Sequence, residues 1–286
     1  MNPIKVSRIK PVFHMNDEEE RNIQARNRGQ FAGHSEEYLE SIVHAKGESL
    51  NRLVDIITPK PSWQVLDVAT GAGHTGIGLA RRVISVTAID LTPSMLVTAR
   101  EQAHTLELGN INYCQAAAEE LPFKDGSFDL LICRIAAHHF SNISSFMNSA
   151  ARSLSAGGCL VVVDNVIPGV FSDKNRYKDP ENVGQFINAF ERLRDPSHQR
   201  CLSVDEWTER FYSAGFRVTH NETFKMELIF DPWVTRSGVN AVDVIRLRTM
   251  LIQAPAEVKA VLDPQMIAGE LNFKLTEAII VGTKDT

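Results

Sequence analysis

Along most of this 286-residue chain, short apolar runs alternate with stretches of helical spacing. From Ser35 a helix is predicted with Tyr38, Ile42 and Val43 on one side. After Gly47 the set Leu50, Leu53, Val54 and Ile57 recurs at i, i+3, i+4 and i+7. Pro59 and Pro61 end it. A strand over Gln64–Val68 follows, then a Gly-rich turn and a helical pattern with Ile77, Leu79 and Ala80. Val83 to Ile89, rich in β-branched residues, is the second predicted strand. Thr92 and Pro93 start a helix through about Leu106, with Thr as N-cap and Pro at the first helical position. Further strands are predicted over Ile111–Gln115, Phe128–Cys133 and Cys159–Asp164, and a helix over Ile143–Leu154. Phe128–Cys133 is nearly all apolar after Asp129, as a strand buried on both faces should be. Strands alternating with helices in this way predict an α/β fold, a parallel sheet doubly wound by helices on both faces.

The two ends break that rhythm. Residues 1 to 30 are polar and charged without sustained periodicity, which predicts a flexible segment ahead of a single domain over 31 to 286. In the C-terminal third a helix is predicted between Asn182 and Leu193. A capping box of Ser203 and Glu206 precedes Trp207, Phe211 and Tyr212. Phe216–Thr223 and Phe273–Gly282 have strand character. Between them, over about 227 to 272, lie helical patterns at Val242–Leu251 and Ala256–Leu262, where a simple open sheet would have a short turn. This insertion is either a cap over the carboxyl edge of the sheet, where ligands bind, or an element of a homodimer contact.

Composition narrows the classes. Hydrophobic residues make up 43% of the chain, ordinary for a globular protein with a good core. A net charge of −5 gives no electrostatic footprint for nucleic acid. No apolar run is long enough for a membrane span, and the acidic stretch Asp17–Glu20 does not resemble a secretory signal. Cys114, Cys133, Cys159 and Cys201 are widely spaced with no C-x-x-C pair. They are expected as buried reduced thiols of a cytoplasmic protein rather than a disulfide or a metal site.

The candidate chemistry lies at the tips of the first two strands. Gly71, Gly73 and Gly76 match G-x-G-x-x-G between a strand and a helix, a spacing that points first to NAD. Asp67 changes that reading. A pyrophosphate wants backbone N–H groups and a helix N-terminus, with no carboxylate beside it. A carboxylate there suits a cofactor that is positive at that point, as S-adenosylmethionine (SAM) is through its ammonium and sulfonium. Asp90, 23 positions on and at the next strand tip, can accept from both ribose hydroxyls; NAD and SAM share that contact. The alternative for both aspartates is a solvated carboxylate at a strand end.

Four ordered motifs carry a wider resemblance: Val65–Gly73, then Ala88-Ile89-Asp90-Leu91-Thr92-Pro93-Ser94-Met95, then Ala118–Phe123 with Ser127-Phe128-Asp129, then Ala137-His138-His139-Phe140. Over roughly residues 30 to 286 the chain resembles class I SAM-dependent methyltransferases, in the ubiquinone/menaquinone-biosynthesis branch and its small-molecule relatives. The resemblance implies a Rossmann-like seven-stranded sheet with an antiparallel last strand, an N-terminal helical lid, and the helical insertion before the last strand. It implies SAM as cofactor, S-adenosylhomocysteine (SAH) as product, and a small-molecule acceptor. Asp67, Ala69 and the backbone of Gly71 and Gly73 would hold the methionine part, and Asp90 the ribose. Leu91 and Met95 would sandwich the adenine, with the Ala118 N–H against the ring. The Arg134 carbonyl would face the cofactor's amino-acid end. Ala117 stands where relatives often carry Asp, so adenine recognition there must lean on the backbone. Phe31–Gly47, with Tyr38 and His44, resembles the segment that folds over the cofactor; helix packing is the other reading for both side chains.

His138 and His139 follow the fourth strand at the carboxyl edge. Either can be the base that takes a proton from a phenol, enol or thiol acceptor. Either can instead cap the next helix or pack beneath the cofactor. Arg194, His198 and Arg200 concentrate polar groups after the next helix and are candidates for an anionic or carbonyl-bearing substrate, as are Trp233 and Arg236 in the insertion; salt bridging is the competing role. A NAD-dependent oxidoreductase, a nucleic-acid methyltransferase and a SAM-fold cyclase or regulatory binder are the competing functions.

Overall fold

The computed structural model describes residues 17–32 and 48–285. Its sheet has the order β3-β2-β1-β4-β5-β8-β6, with β7 added to β8. Strands β1 (Gln64–Val68), β2 (Ser85–Asp90), β3 (Ile111–Gln115), β4 (Phe128–Arg134) and β5 (Leu154–Asn165) run parallel. β8 (Glu270–Lys284) lies antiparallel between β5 and β6 (Phe216–Ile229). The sequence predicted seven strands with the last reversed. The eighth is β7 (Gln265–Ile267), a three-residue return on the start of β8.

The unbroken apolar run of β4 has its reason in this arrangement. Leu130 and Ile132 face one core with Leu53, Val65 and Leu79, while Leu131 and Cys133 face another with Phe146, Trp207 and Phe211. Helices cover both faces: α2 (Glu48–Ile57), α3 (His74–Ala80) and α4 (Pro93–Thr105) come from the first half, α5 (Ile143–Ser153), α6 (Pro180–Arg194) and α7 (Val204–Ser213) from the second. The Ser203–Glu206 capping box forms at the start of α7 as predicted, both reciprocal bonds present.

Two expectations give way. Asp17–Ala32 is a helix, designated α1. Its docked face runs through Glu20, Ile23, Asn27 and Phe31, and half of those anchors are polar. Asn27 Nδ2 donates to the His139 carbonyl at 2.8 Å, and Asn142 Nδ2 donates to Glu20 Oε1 at 3.0 Å. Hydrophobic periodicity is blind to a helix docked this way. The predicted strand Phe216–Thr223 also continues to Ile229, because Phe224, Met226 and Leu228 keep alternating with charged neighbours.

That extension positions the insertion. β5 pairs with β8 only as far as Asn165 with Glu277, whereas β6 and β8 stay paired to Ile229 with Asn272. The hairpin therefore projects past the carboxyl edge of the parallel strands. Short helices Phe230–Thr235 (α8), Ala241–Ile252 (α9) and Ala256–Leu262 (α10) wrap it and α6 around a third core of Phe190, Trp233, Leu247, Leu251 and Phe273.

Gly282 shows how tightly α7 sits. A Cβ there would collide with the fully buried Phe211 ring. Gly282→Ala is expected to lower stability by about 1–3 kcal/mol, read as a shift in denaturant midpoint with unchanged m-value.

Candidate active site

The topology reverses direction between β1 and β4, and a cavity opens beyond the carboxyl ends of β1, β2 and β4 at that point. Its floor is the turn Ala69–Ala72. Gly71 has φ +54°, and a Cβ on it would meet nothing within 4 Å, so the turn leaves open space above the backbone. Gly73 has φ +89° and sits against Ala99, where a Cβ would come within 2.9 Å. Ala69 and Ile135, just past β1 and β4, both line the cavity with φ +53°. Left-handed backbone at a β-branched residue is strained, and strain of this kind collects at binding sites.

Asp67 does not reach the cavity. It is buried beneath the turn, where Oδ2 accepts from Thr70 Oγ1 at 2.6 Å and from the Gly76 N–H at 2.8 Å. Burial pushes its pKa from 3.8 up to about 6, against the opposing pull of those two bonds. Asp67 and Gly73, expected to hold a ligand, are not among the residues that line the cavity: both shape the turn from behind, and Thr70, Gly71, His74 and Thr75 form the wall.

Asp90 does line the cavity. Oδ1 accepts from the Thr92 N–H at 2.8 Å and Oδ2 from the Gly71 N–H at 2.9 Å. The Thr92 hydroxyl and the Leu91 N–H also act on this carboxylate. Burial raises the Asp90 pKa, countered by these backbone N–H groups. Leu91, Met95, Ala117 and Ala118 continue the wall. Glu119 joins them, its Oε1 accepting from the N–H and Oγ of Ser141 at 2.8 and 2.6 Å. Arg134 turns inward, its Nε donating to Thr75 Oγ1 at 3.0 Å. Tyr38 and His44 lie outside the described residues. Gln24, Asn27 and Phe31 of α1 close the near side, a contribution the sequence reading missed apart from Phe31.

The two histidines part company. His138 is sealed away from the cavity: its Nδ1 lies 2.5 Å from Asp164 Oδ1, and its N–H donates to Asp164 Oδ2 at 2.8 Å. Burial opposes its charged form, but Asp164, then Glu191 and Asp195, outweigh burial and raise the pKa. His139 borders the cavity beside Phe31, with ring centroids 4.9 Å apart. Burial, and then the charge on His138, push its pKa below the ordinary histidine range.

None of the five substrate candidates, Arg236 included, lines the cavity. Arg194 stacks over Trp233 at 4.7 Å and donates from Nε to the Trp233 carbonyl, pinning the insertion to α6. Trp233 is core, stacked on Phe190 at 5.1 Å. Arg200 pairs with Glu206. His198 is buried, its Nε2 2.9 Å from Asn188 Oδ1, and burial followed by the charges of His138 and His139 holds its pKa down at about 2.

Comparison with known proteins agrees with this architecture. The methyltransferase domain family matches residues 66–162. The uncharacterized methyltransferase YcgJ of Bacillus subtilis is 32% identical over 233 residues, 82% of this chain and 88% of that protein. The chain belongs to the class I SAM-dependent methyltransferases. The crystal structure of YcgJ superposes with a TM-score of 0.76 at 29% identity, covering 83% of this chain and 98% of that one. A demethylmenaquinone methyltransferase of Chlorobaculum tepidum is 33% identical over 164 residues, 54% of this chain and 65% of that protein. In this methyltransferase all four cysteines are free thiols, and no described helix is long and apolar enough to cross a membrane.

Asp67→Asn isolates the cost of the buried carboxylate. A carboxyl whose folded pKa is raised favours folding below its unfolded pKa and loses that contribution as pH climbs through the folded value. The variant's stability relative to wild type should therefore rise between pH 3.8 and about 6 and stay level on either side. Denaturant unfolding across pH checks this; a difference constant through that window contradicts a titrating Asp67.

Proposed function

We propose that the cavity binds SAM and that the protein transfers its methyl group to a small acidic acceptor. The observation that carries the reading is Asp90, a half-buried carboxylate at the second strand tip. The Gly71 and Thr92 N–H groups fix it at the cavity wall, where it can accept from ribose hydroxyls. The residues around it fit the same group. Gly71 leaves open space over the turn, Leu91 and Met95 offer apolar faces for an adenine, and Ala117 and Ala118 present backbone to its edge.

SAM supplies a methyl group already activated by positive sulfur. The chain's own residues then align and desolvate the reactants, which provides the largest share of the acceleration in a displacement of this kind. Phe31 and Asn27 bring α1 against the wall that holds His139, so the helix excludes water on that side. His139 is the residue placed to take the acceptor's proton. The insertion, projecting past the carboxyl edge, serves as the substrate cap. Relatives named as demethylmenaquinone methyltransferases favour a phenol- or enol-like acceptor. The net charge of −5 and the free thiols suit a small-molecule substrate and a cytoplasmic setting.

Incubation with methyl-tritiated SAM and a fractionated metabolite extract should move label into a low-molecular-weight acceptor; no transfer together with no SAH binding overturns the reading. Asp90→Ala removes the acceptor for two hydroxyls, each bond to a charged group contributing about 1.5–3 kcal/mol. SAH affinity by titration calorimetry should fall on the order of 100-fold or more, and an unchanged affinity contradicts the ribose role.

A further inference from the structure

His139 shows one nitrogen to the protein and the other side of its ring to the cavity. Its Nδ1 lies 3.0 Å from Ser197 Oγ, and Ser197 Oγ lies 2.5 Å from Asp195 Oδ1, which also accepts the Ser197 N–H at 2.9 Å. Ser197 and Asp195 are both buried. Burial alone would raise the Asp195 pKa; a charge on His139, the two Ser197 bonds and Arg194 lower it, and with the ring neutral the Ser197 bonds and Arg194 still favour the carboxylate. An ionised carboxylate can only accept, and a serine hydroxyl has one proton to give. That proton goes to Asp195, so Ser197 Oγ meets His139 with a lone pair. His139 must then donate from Nδ1, and in a neutral imidazole this leaves Nε2 bare. Nε2 has no partner among the described residues. It is also not one of the sealed, partnerless atoms, a set that includes the neighbouring His198 Nδ1.

The groups facing His139 agree with a neutral ring. His138 stands 4.2 Å away between ring centroids and carries the charge that Asp164 holds on it; His198 stands 6.5 Å away. Asp195, a hydrogen bond to the Ser197 backbone, and Asp164 act in the opposite sense; α1 contributes Asn27 and Phe31 beside the ring, with Gln24 at the cavity wall and Arg26 on the Pro196 carbonyl. Burial and His138 prevail.

We propose that Asp195 and Ser197 are positioning residues that lock His139 in its Nδ1–H tautomer, aiming a bare Nε2 into the cavity to take the proton of an acidic phenol, enol or thiol acceptor. The acceptor's class rests on the methyl-transfer reading; the tautomer does not. The acceptor's X–H bond breaks as Nε2–H forms. The resulting imidazolium keeps its Nδ1–H on Ser197, with the Asp195 charge at the far end of the chain. When product leaves, the proton passes to water.

Asp195→Ala tests the lock through its logic. Asp195 Oδ1 accepts from both the Ser197 N–H and its hydroxyl; without that oxygen the hydroxyl proton is free for His139 Nδ1, and the ring proton can move to Nε2. Asp195→Asn keeps an amide oxygen on both donors and should hold the lock. Full-length protein with 15N-labelled histidine, alone and saturated with SAH, reports this directly, with His139→Gln assigning the resonance. Wild type and Asp195→Asn should show protonated Nδ1 and bare Nε2 at neutral pH, and Asp195→Ala a gain of the Nε2–H tautomer. A Ser197→Ala, Asp195→Ala double variant should match Ser197→Ala, since Asp195 acts through the hydroxyl. A wild-type Nε2–H, an Asp195→Ala with the wild-type tautomer, or a double variant that differs from Ser197→Ala overturns the proposal. With the acceptor found by labelling, Asp195→Ala should lower kcat, by up to about 10²–10⁴-fold, with SAH affinity unchanged, and Asp195→Asn should lose less. The wild-type kcat/KM should fall with acid at a midpoint below the ordinary histidine value. Full kcat in an Asp195→Ala that has gained Nε2–H rejects His139 as the base, while a bare Nε2 in a protein that binds no SAH sinks the methyl-transfer reading and leaves the lock intact.

Discussion

A carboxylate hidden under a turn fixes everything on the cofactor side of this protein. Asp67 accepts from Thr70 and Gly76 at once, so it ties the end of β1 to the first turn of α3 across the glycine loop. A Cβ at Gly76 would crowd that same oxygen at 3.1 Å. Its burial is costly, as the raised pKa shows, and the cost is offset only while both donors are present. With the loop held from below, Gly71 can turn its N–H to Asp90, and Asp90 in turn holds Thr92 at the start of α4. Two aspartates thus act in series: one shapes the loop, and the loop orients the other. Only the second lines the cavity.

This explains what was legible in the chain. Spacing and residue type give the strands, the crossover helices, the glycine turn and the capping box, because those depend on local chemistry and on which faces are buried. They place Asp67 and Asp90 at strand tips equally well and do not say which one faces out. The same limit applies to Arg194, His198, Arg200 and Trp233. A cluster of cations near a carboxyl edge suggests an anion site, but cation–π stacking on Trp233 and a bond to Asn188 turn the first two inward. Long-range contact decides orientation, and a single sequence does not record it. Helix α1 escaped for the converse reason: its anchors Glu20 and Asn27 dock by hydrogen bonds to Asn142 and His139, which leave no hydrophobic period.

The two halves of the molecule divide the work. The strained residues Ala69 and Ile135, both at φ +53°, sit where the first half meets the cavity, and a rigid sheet buried on both faces is what keeps them strained. The second half carries a core of its own, built on a hairpin that outruns its neighbour β5. A core beyond the sheet edge lets this region hold a shape without borrowing stability from the cofactor loop. Arg194 and Trp233 hold the insertion against α6 and do not line the cavity.

His138 and His139 show how neighbours in sequence acquire opposite chemistry. Both rings are buried, and burial alone would leave both neutral. Asp164 bonds His138 directly and favours its charged form. With ring centroids 4.2 Å apart, that charge then works against a proton on its neighbour. Environments that push two titratable groups apart mark an assignment of roles. Here Asp164 favours the charged form of His138, while burial and that neighbour favour the neutral form of His139. The sequence offers the pair as equals; Asp164 on β5 and the Asp195–Ser197 chain after α6, each distant along the chain, break the symmetry.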